Sequence, residues 1–120
     1  MYDSILQTIK KMIGLESSYD AFDEDIIVLI NSAMQELYQL GVGDESFSIN
    51  GDTESWTDYL GENLKFLNDV KTYIYYKVRL IFNPPSNSFV VNSFQDAIKE
   101  TAWRICTKMD IKRLNGGSDE

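Results

Sequence analysis

The chain of 120 residues contains no histidine and a single cysteine, Cys106. Without histidine it lacks the commonest general base and the commonest protein ligand for zinc and other transition metals. One cysteine cannot form a disulfide within the chain. Cys106 lies in an apolar helical pattern, so we interpret it as a small buried side chain rather than a reactive thiol. Histidine-based catalytic triads and conventional zinc sites are excluded on composition.

Other signatures of chemistry are missing as well. The glycines of Gly41-Val42-Gly43 follow a predicted helix instead of a strand, and they lack the remainder of a nucleotide-binding fingerprint. The acids between residues 44 and 54 do not have the alternating spacing of a calcium loop. We therefore expect no enzymatic activity, no bound metal and no cofactor.

Long hydrophobic runs are also lacking, since the longest one spans residues 26–30. That run is far too short for a membrane span, and the N-terminal residues have no signal-peptide core. An apolar content of 43% and a charged content of 25% are ordinary for a globular protein. The sequence predicts a soluble cytoplasmic protein with one domain over residues 1–114 and a flexible C-terminal segment over residues 115–120.

Charge is distributed unevenly along the chain. Residues 15–64 hold twelve acidic residues and no Lys or Arg, whereas residues 65–114 hold nine basic and four acidic residues. This pattern is compatible with ordinary solvated helix faces. It is equally compatible with a subunit whose acidic side meets the basic side of a neighbour, as in a head-to-tail assembly. The overall charge of −8 argues against a dedicated duplex-DNA reader.

The spacing of apolar residues predicts an all-α fold with four main helices in a small bundle. The predicted helices cover residues 2–13, 23–40, 64–82 and 93–114. Their predicted N-terminal caps are, in order, Asp3 or Ser4, then Asp23, then Asn63 or Asn68, and finally Ser93 with a capping box to Asp96. Gly14 and Gly41 stand where the first two helices should end.

A long irregular segment, residues 42–63, separates the second and third predicted helices. The alternation of Phe47-Ser48-Ile49 before Asn50-Gly51 indicates a possible short hairpin. Residues 53–60 are expected to form one or two helical turns with Trp56 against the core. A loop of this length is either a covering flap or a functional loop, and the two roles are compatible.

An aromatic run and a short apolar stretch are the candidate subunit contacts. Tyr73-Ile74-Tyr75-Tyr76 is apolar on nearly all sides of a helix, so one part should face the core and the rest a neighbouring subunit. Pro84-Pro85 ends that helix. Phe89-Val90-Val91 then falls in a predicted loop, either as a buried plug or as an exposed contact. The candidate interface residues are Tyr73, Tyr75, Tyr76, Phe89 and Val90.

Several pieces of the chain form a recognisable series when they are taken in order: Phe22-Asp23, Ile30-Asn31-Ser32-Ala33, Leu40-Gly41-Val42, Trp56, residues 70–74 and 77–82, Asn83-Pro84-Pro85, Ser88-Phe89, Glu100 and Trp103-Arg104. Their order and spacing resemble those of the head-tail connector (adaptor) proteins of tailed bacteriophages and prophages. The resemblance covers most of the chain. Members of the family often have Asp where this chain has Asn83, a mild departure because both residues favour turns before proline.

The resemblance implies a structural virion protein without catalytic activity. Its subunits would form a portal-matched ring, expected to be a dodecamer, and the isolated protein could be a monomer. The ring would lie at the virion neck, extend the DNA channel without sequence-specific binding, and join the portal protein to a tail-side head-completion (stopper) protein. The implied portal contacts are Lys108, Lys112, Arg113 and Leu114, and the implied tail-side contacts are Asp44, Phe47, Asn50 and Asp52.

Two other functions are compatible with the composition. A small helical DNA-packaging or nucleic-acid-associated protein would need a basic, exposed recognition helix. The last predicted helix carries five bases against three acids within residues 93–114, which is too weak a bias to favour that function. An enzyme is disfavoured by the missing histidine and the lack of catalytic motifs.

Overall fold

A computed structural model describes residues 4–16, 18–43, 46–61 and 66–114, with side chains up to residue 108. It contains five helices: α1 (Ile5–Met12), α2 (Asp23–Gln39), α3 (Trp56–Leu60), α4 (Leu67–Phe82) and α5 (Ser88–Leu114). The predicted all-α class is confirmed, with four longer helices and the short α3 within the irregular segment. The predicted C-terminal segment, residues 115–120, lies outside the described residues.

The predicted hairpin at residues 47–51 is wrong, because no strand occurs among the described residues. Both backbone hydrogen-bonding groups of Ile49 are instead satisfied by one side chain of α2. The amide of Asn31 donates to the Ile49 carbonyl oxygen at 3.0 Å and accepts from the Ile49 N–H at 2.8 Å. An isolated antiparallel bridge joins Ser4 to Ser55, where the Ile5 N–H donates to the Glu54 carbonyl at 3.0 Å.

The first and third helices have the side-chain caps that short helices need. Ser4 caps α1 by accepting from the Gln7 N–H at 3.3 Å, which confirms one of the two predicted caps. Ser55 and Asp58 form a reciprocal capping box on α3. Because two orphan backbone donors are satisfied there, five residues suffice to make a helical turn.

The predicted caps of α2 and α4 are wrong. Asp23 is the first residue of α2, and the cap position belongs to Phe22, which makes no side-chain capping bond. The Asp23 carboxylate is used instead in an ion pair with Lys10. Asn68 lies inside the first turn of α4, whose cap position is Phe66, and Asn63 lies outside the described residues.

Helix α5 begins at Ser88, five residues before the predicted start. Asn87 Oδ1 accepts from the Phe89 N–H at 2.7 Å, as an N-terminal cap does. The predicted cap, Ser93, is interior, and its hydroxyl donates to the Phe89 carbonyl at 3.1 Å. The predicted apolar loop at residues 89–91 is therefore the first turn of α5.

Helix α4 is the centre of the bundle, because it packs against α1, α2 and α5. Its buried side chains Val70, Ile74 and Val78 meet those of the neighbouring helices. The other buried apolar residues are Ile5, Leu6 and Ile9 of α1, Ile26, Ile30, Ala33, Met34 and Leu37 of α2, and Ile105 of α5, with Val42, Ile49, Trp56, Tyr59, Phe66 and Tyr73. Burial of each large aliphatic side chain contributes about 1.5–3 kcal/mol.

Candidate docking surfaces

Polar contacts between helices fix the relative positions of the surfaces. Lys10 of α1, which is fully buried, pairs with Asp23 of α2 at 2.9 Å. Glu36 of α2 accepts from the Tyr73 hydroxyl of α4 at 2.8 Å, and Lys77 Nζ lies 2.9 Å from the same carboxylate oxygen. The Lys77–Glu36 pair joins the basic segment to the acidic segment, so the charge polarity of the chain is partly neutralised inside the subunit.

Asp69 joins α4 to the C-terminal half of α5. Its carboxylate accepts from Lys108 Nζ at 2.8 Å and from Arg104 Nε at 3.3 Å. The Asp69 side chain is largely buried, whereas both cations are about half exposed. Lys108, a predicted portal contact, is thus held by its own subunit.

The other predicted portal contacts occupy the last turn of α5. Lys108 Nζ lies 5.8 Å from the ring centroid of Phe66, the residue that precedes α4. Since α4 and α5 are antiparallel, the turns of α5 after Lys108 extend past the beginning of α4. Lys112, Arg113 and Leu114 are on this extension, and their side chains lie outside the described part.

The predicted interface residues do not form one patch. Tyr73 is only 6% exposed and can offer little area to a neighbour. Burial, together with the hydrogen bond to the Glu36 carboxylate, raises the pKa of its phenol. Tyr75 and Tyr76 are half-buried and pack with Phe94 of α5, at ring-centroid distances of 6.4 and 4.7 Å.

The first turn of α5 presents the most exposed aromatic side chain of the described residues. Phe89 is 75% exposed, and Val90 beside it is half-buried. The sequence left open whether this apolar stretch is a buried plug or an exposed contact, and the exposure of Phe89 favours a contact. Trp103 is also 66% exposed, on the side of α5 opposite to the buried Thr101 and Ile105.

The irregular segment is anchored at several points, as a covering flap would be. Phe47 stacks on Tyr59 with ring centroids 5.1 Å apart. The backbone of Gly43 (φ 82°) approaches Tyr59 so closely that a Cβ there would lie 2.6 Å from its ring. Burial raises the pKa of the Tyr59 phenol. The indole N–H of Trp56 donates to the Thr8 hydroxyl at 3.0 Å, which ties the segment to α1.

Of the predicted tail-side residues, Phe47 packs against the core. Asn50 and Asp52 are exposed, and Asp52 accepts from the Gln7 amide at 3.3 Å. The Asn50 N–H donates to the Glu54 carboxylate at 3.0 Å. Asp44 lies outside the described residues. The structure therefore brings Phe47, Asn50 and Asp52 onto one anchored segment.

A groove of about 690 Å³ between α1 and α4 was not predicted from the sequence. Its lining residues are Gln7, Thr8, Lys11, Leu15, Glu16, Ser18 and Lys71. The ammonium of Lys71 lies 5.6 Å from the ring centroid of Trp56. Lys11 and Lys71 are 60 positions apart in sequence, so no local pattern could indicate that they share a surface.

Among the described residues, no group of three or more acidic, Cys or His side chains could hold a metal ion. None of the described helices is long and apolar enough to cross a membrane. Cys106, interpreted as buried, is partly buried.

Comparison with known proteins identifies the family. The family model described as phage connector protein matches residues 5–112, which include all five helices except the last two residues of α5. Curated proteins gave no match, and solved structures gave none. A match over this much of the sequence confirms the resemblance seen in its motifs. The chain belongs to the phage connector protein family, and its role is that of a structural head-tail connector.

Proposed function

We propose that this connector acts as one subunit of a ring at the virion neck, beneath the portal. The ring extends the DNA channel and joins the capsid to the tail, with the portal protein on one side and a head-completion protein on the other. It assembles in the host cytoplasm. The single observation that carries the proposal, beyond family membership, is the extension of α5 past the beginning of α4.

The α5 extension suits a portal contact because α4, its neighbour in the bundle, does not reach as far in this direction. An α-helix rises 1.5 Å per residue, so the six residues after Lys108 reach roughly 9 Å further. Lys112, Arg113 and Leu114 offer two cations and one apolar side chain there. A helix end of this kind can enter a groove of a partner without disturbing the subunit core.

Phe89 and Val90, with Tyr75 and Tyr76, are the proposed aromatic contacts between subunits. Exposed aromatic side chains are frequent energetic centres of protein interfaces. Phe89 has the exposure that this role requires, whereas Tyr75 and Tyr76 are half-buried and packed against Phe94. Tyr73 belongs to the subunit core.

The flap carrying Phe47, Asn50 and Asp52 is the proposed tail-side contact. Its anchors to α1 and α2 hold a loop in one conformation, which lowers the entropic cost of binding a partner. Exposed acids are plentiful in this half of the chain. If they line the channel, they repel the phosphates of DNA and allow it to slide without sequence-specific binding.

Co-assembly with the portal protein encoded in the same phage genome tests the proposal. Negative-stain microscopy of the purified mixture should show a ring capping the portal. Removal of residues 109–120 should abolish capping, because it deletes the extension but keeps the Asp69–Lys108 contact. The matched control is Lys99→Ala, which changes an exposed cation elsewhere on α5.

Circular dichroism should show that the truncated chain remains helical. A folded full-length chain that never caps the portal would contradict the ring proposal. Capping retained after truncation would contradict the assignment of the portal contact to the end of α5.

A further inference from the structure

We propose that the groove between α1 and α4 binds the exposed face of α2 from a second copy of this chain. The contact would be the head-to-tail interface of the ring, so it rests on the proposed function. It involves residues other than the aromatic contacts at Tyr75, Tyr76, Phe89 and Val90. The groove and the face of α2 are complementary in charge.

The groove holds two lysines that form no ion pair with the described residues. Within the described part, the ion pairs use Lys10, Lys77, Arg104 and Lys108. Lys11 and Lys71 are in none of these pairs, yet both line the groove. Glu16, at the same groove, is not within ion-pair distance of either. Half-buried Leu15 adds an apolar wall between the polar side chains.

The face of α2 that points away from the core has the opposite character. Glu24 and Asp25 are exposed in its first turn. Val28 follows at the (i, i+3) and (i, i+4) positions, so the three side chains share one side of the helix. Val28 is 64% exposed, an unusual position for an aliphatic residue amid acids. The two carboxylates beside Val28 are therefore complementary in charge to the two ammonium groups beside Leu15 in the groove.

The two surfaces lie on different sides of the subunit. The buried side of α2 packs against α1 and α4, the helices that form the groove. The Glu24–Val28 face is on the opposite side of α2 and cannot reach the groove of its own chain. A surface that fits a different surface on an identical molecule makes a heterologous contact, and such contacts generate rings when the rotation closes.

Charge reversal tests the contact in the assembly with the portal. The variant K11E/K71E should weaken ring formation at least about tenfold, because like charges then face each other. The variant E24K/D25K should do the same. The control is Lys99→Glu, an exposed lysine of α5 outside the groove, which should leave ring formation unchanged. Thermal unfolding of each chain checks that the subunits are folded.

Mixing the two reversed variants gives a sharper outcome. The acidic groove of K11E/K71E fits the basic α2 face of E24K/D25K, and the unchanged surfaces of the pair also match. We expect neither variant to assemble alone and the equimolar mixture to assemble. Failure of the mixture, with both chains folded and wild type assembling, would overturn the contact.

Cysteine crosslinking is independent of charge. In a Cys106→Ser background, a mixture of Leu15→Cys and Val28→Cys chains should give a disulfide-linked dimer on oxidation, and each chain alone should give none. If the wild type forms rings but the mixed cysteine variants do not crosslink, this inference is overturned and the ring proposal stands. Loss of portal capping in K11E/K71E with intact rings would assign the groove to the portal instead. No ring from wild type would overturn the proposed function and this contact together.

Discussion

The two sides of α4 are built differently. Towards α2, five buried apolar residues of that helix share one core with Val70, Ile74 and Val78 of α4. Towards α5, the buried residues among the described side chains of α5 are Ile105 and Thr101. Other contacts with α5 are half-buried. They include Ile98 and Ala102 packed against the core, the Tyr75–Tyr76–Phe94 aromatic cluster near the α4–α5 connection, and Asp69 with its two cations near the beginning of α4.

This difference indicates which part of the subunit opens first. Regions with few buried apolar contacts and exposed polar ones have low local stability and frequently take part in binding. The side of α4 with fewer buried neighbours is also the side of the α5 extension. We therefore expect α5 to loosen from α4 while α1, α2 and α4 remain packed, which would let the extension adjust to the portal.

The largest expected effect is on the α2 side. Ile74→Ala should lower the free energy of unfolding by about 4 kcal/mol, because it leaves a cavity among fully buried neighbours. Ile105→Ala, the matched deletion on the α5 side, should cost about 2 kcal/mol, since α5 can relax onto the cavity. Urea denaturation followed by circular dichroism measures both. Equal losses would mean that the two sides are equally rigid.

Loss of the buried ion pair between α1 and α2 should also lower the stability more than loss of the half-exposed contacts between α4 and α5. Asp23→Asn leaves the fully buried Lys10 ammonium without its carboxylate and should cost about 3 kcal/mol. The control Lys10→Met replaces the cation with an apolar side chain of similar length and should cost much less. The urea midpoints of the two variants give the comparison. A larger loss for Lys10→Met would contradict the assignment of the cost to the lost Lys10–Asp23 ion pair.

The sequence alone predicted the apolar face of α2, the helix that covers one side of α4. The 3.6-residue spacing in α2 indicates the stripe containing Ile26, Ile30 and Leu37, and burial confirms it. The α5 side was predicted less well. Residues 89–91 were predicted as a loop, because the next helix was expected to begin only at Ser93. The bond from Asn87 to the Phe89 N–H instead starts α5 before them.

The parts of the candidate surfaces that sequence missed depend on tertiary contacts. Asn31 was noted only as part of a motif, because nothing local shows that its amide would pair with Ile49 18 residues later. The same applies to the groove, because Lys11 and Lys71 line it together although they are far apart in sequence. Signals that are periodic within one helix are visible in a sequence, whereas pairings between helices are not.

On the α5 side we expect a smaller and more local effect. Asp69→Asn weakens the contacts with Arg104 and Lys108, whose side chains are 43% exposed, and should cost about 1 kcal/mol. Hydrogen exchange should quicken in the C-terminal half of α5 while α2 keeps its protection. The control is Glu100→Gln, which alters the exposed partner of Arg104 only. Faster exchange in α2 would show that the two sides unfold together.

The smallest effect at neutral pH belongs to the polar contact between α2 and α4. Tyr73→Phe removes the hydrogen bond to Glu36 and should cost about 1 kcal/mol. The pH dependence of the stability distinguishes the contribution of Tyr73 from those of other residues. Because the pKa of Tyr73 is raised in the folded chain, its contribution is complete below the unfolded tyrosine pKa of about 10 and is lost as the pH rises above it.

Urea midpoints measured from pH 8 to pH 11 should therefore fall less steeply for Tyr73→Phe than for the wild type. Tyr59, whose pKa is also raised, gives both proteins the same background loss, and Tyr59→Phe is the control for it. Identical slopes for wild type and Tyr73→Phe would mean that the phenol is ionised as easily in the folded chain as in water. In that case the α2 side of α4 would be as open to solvent as the α5 side, and the difference between them would rest on apolar packing alone.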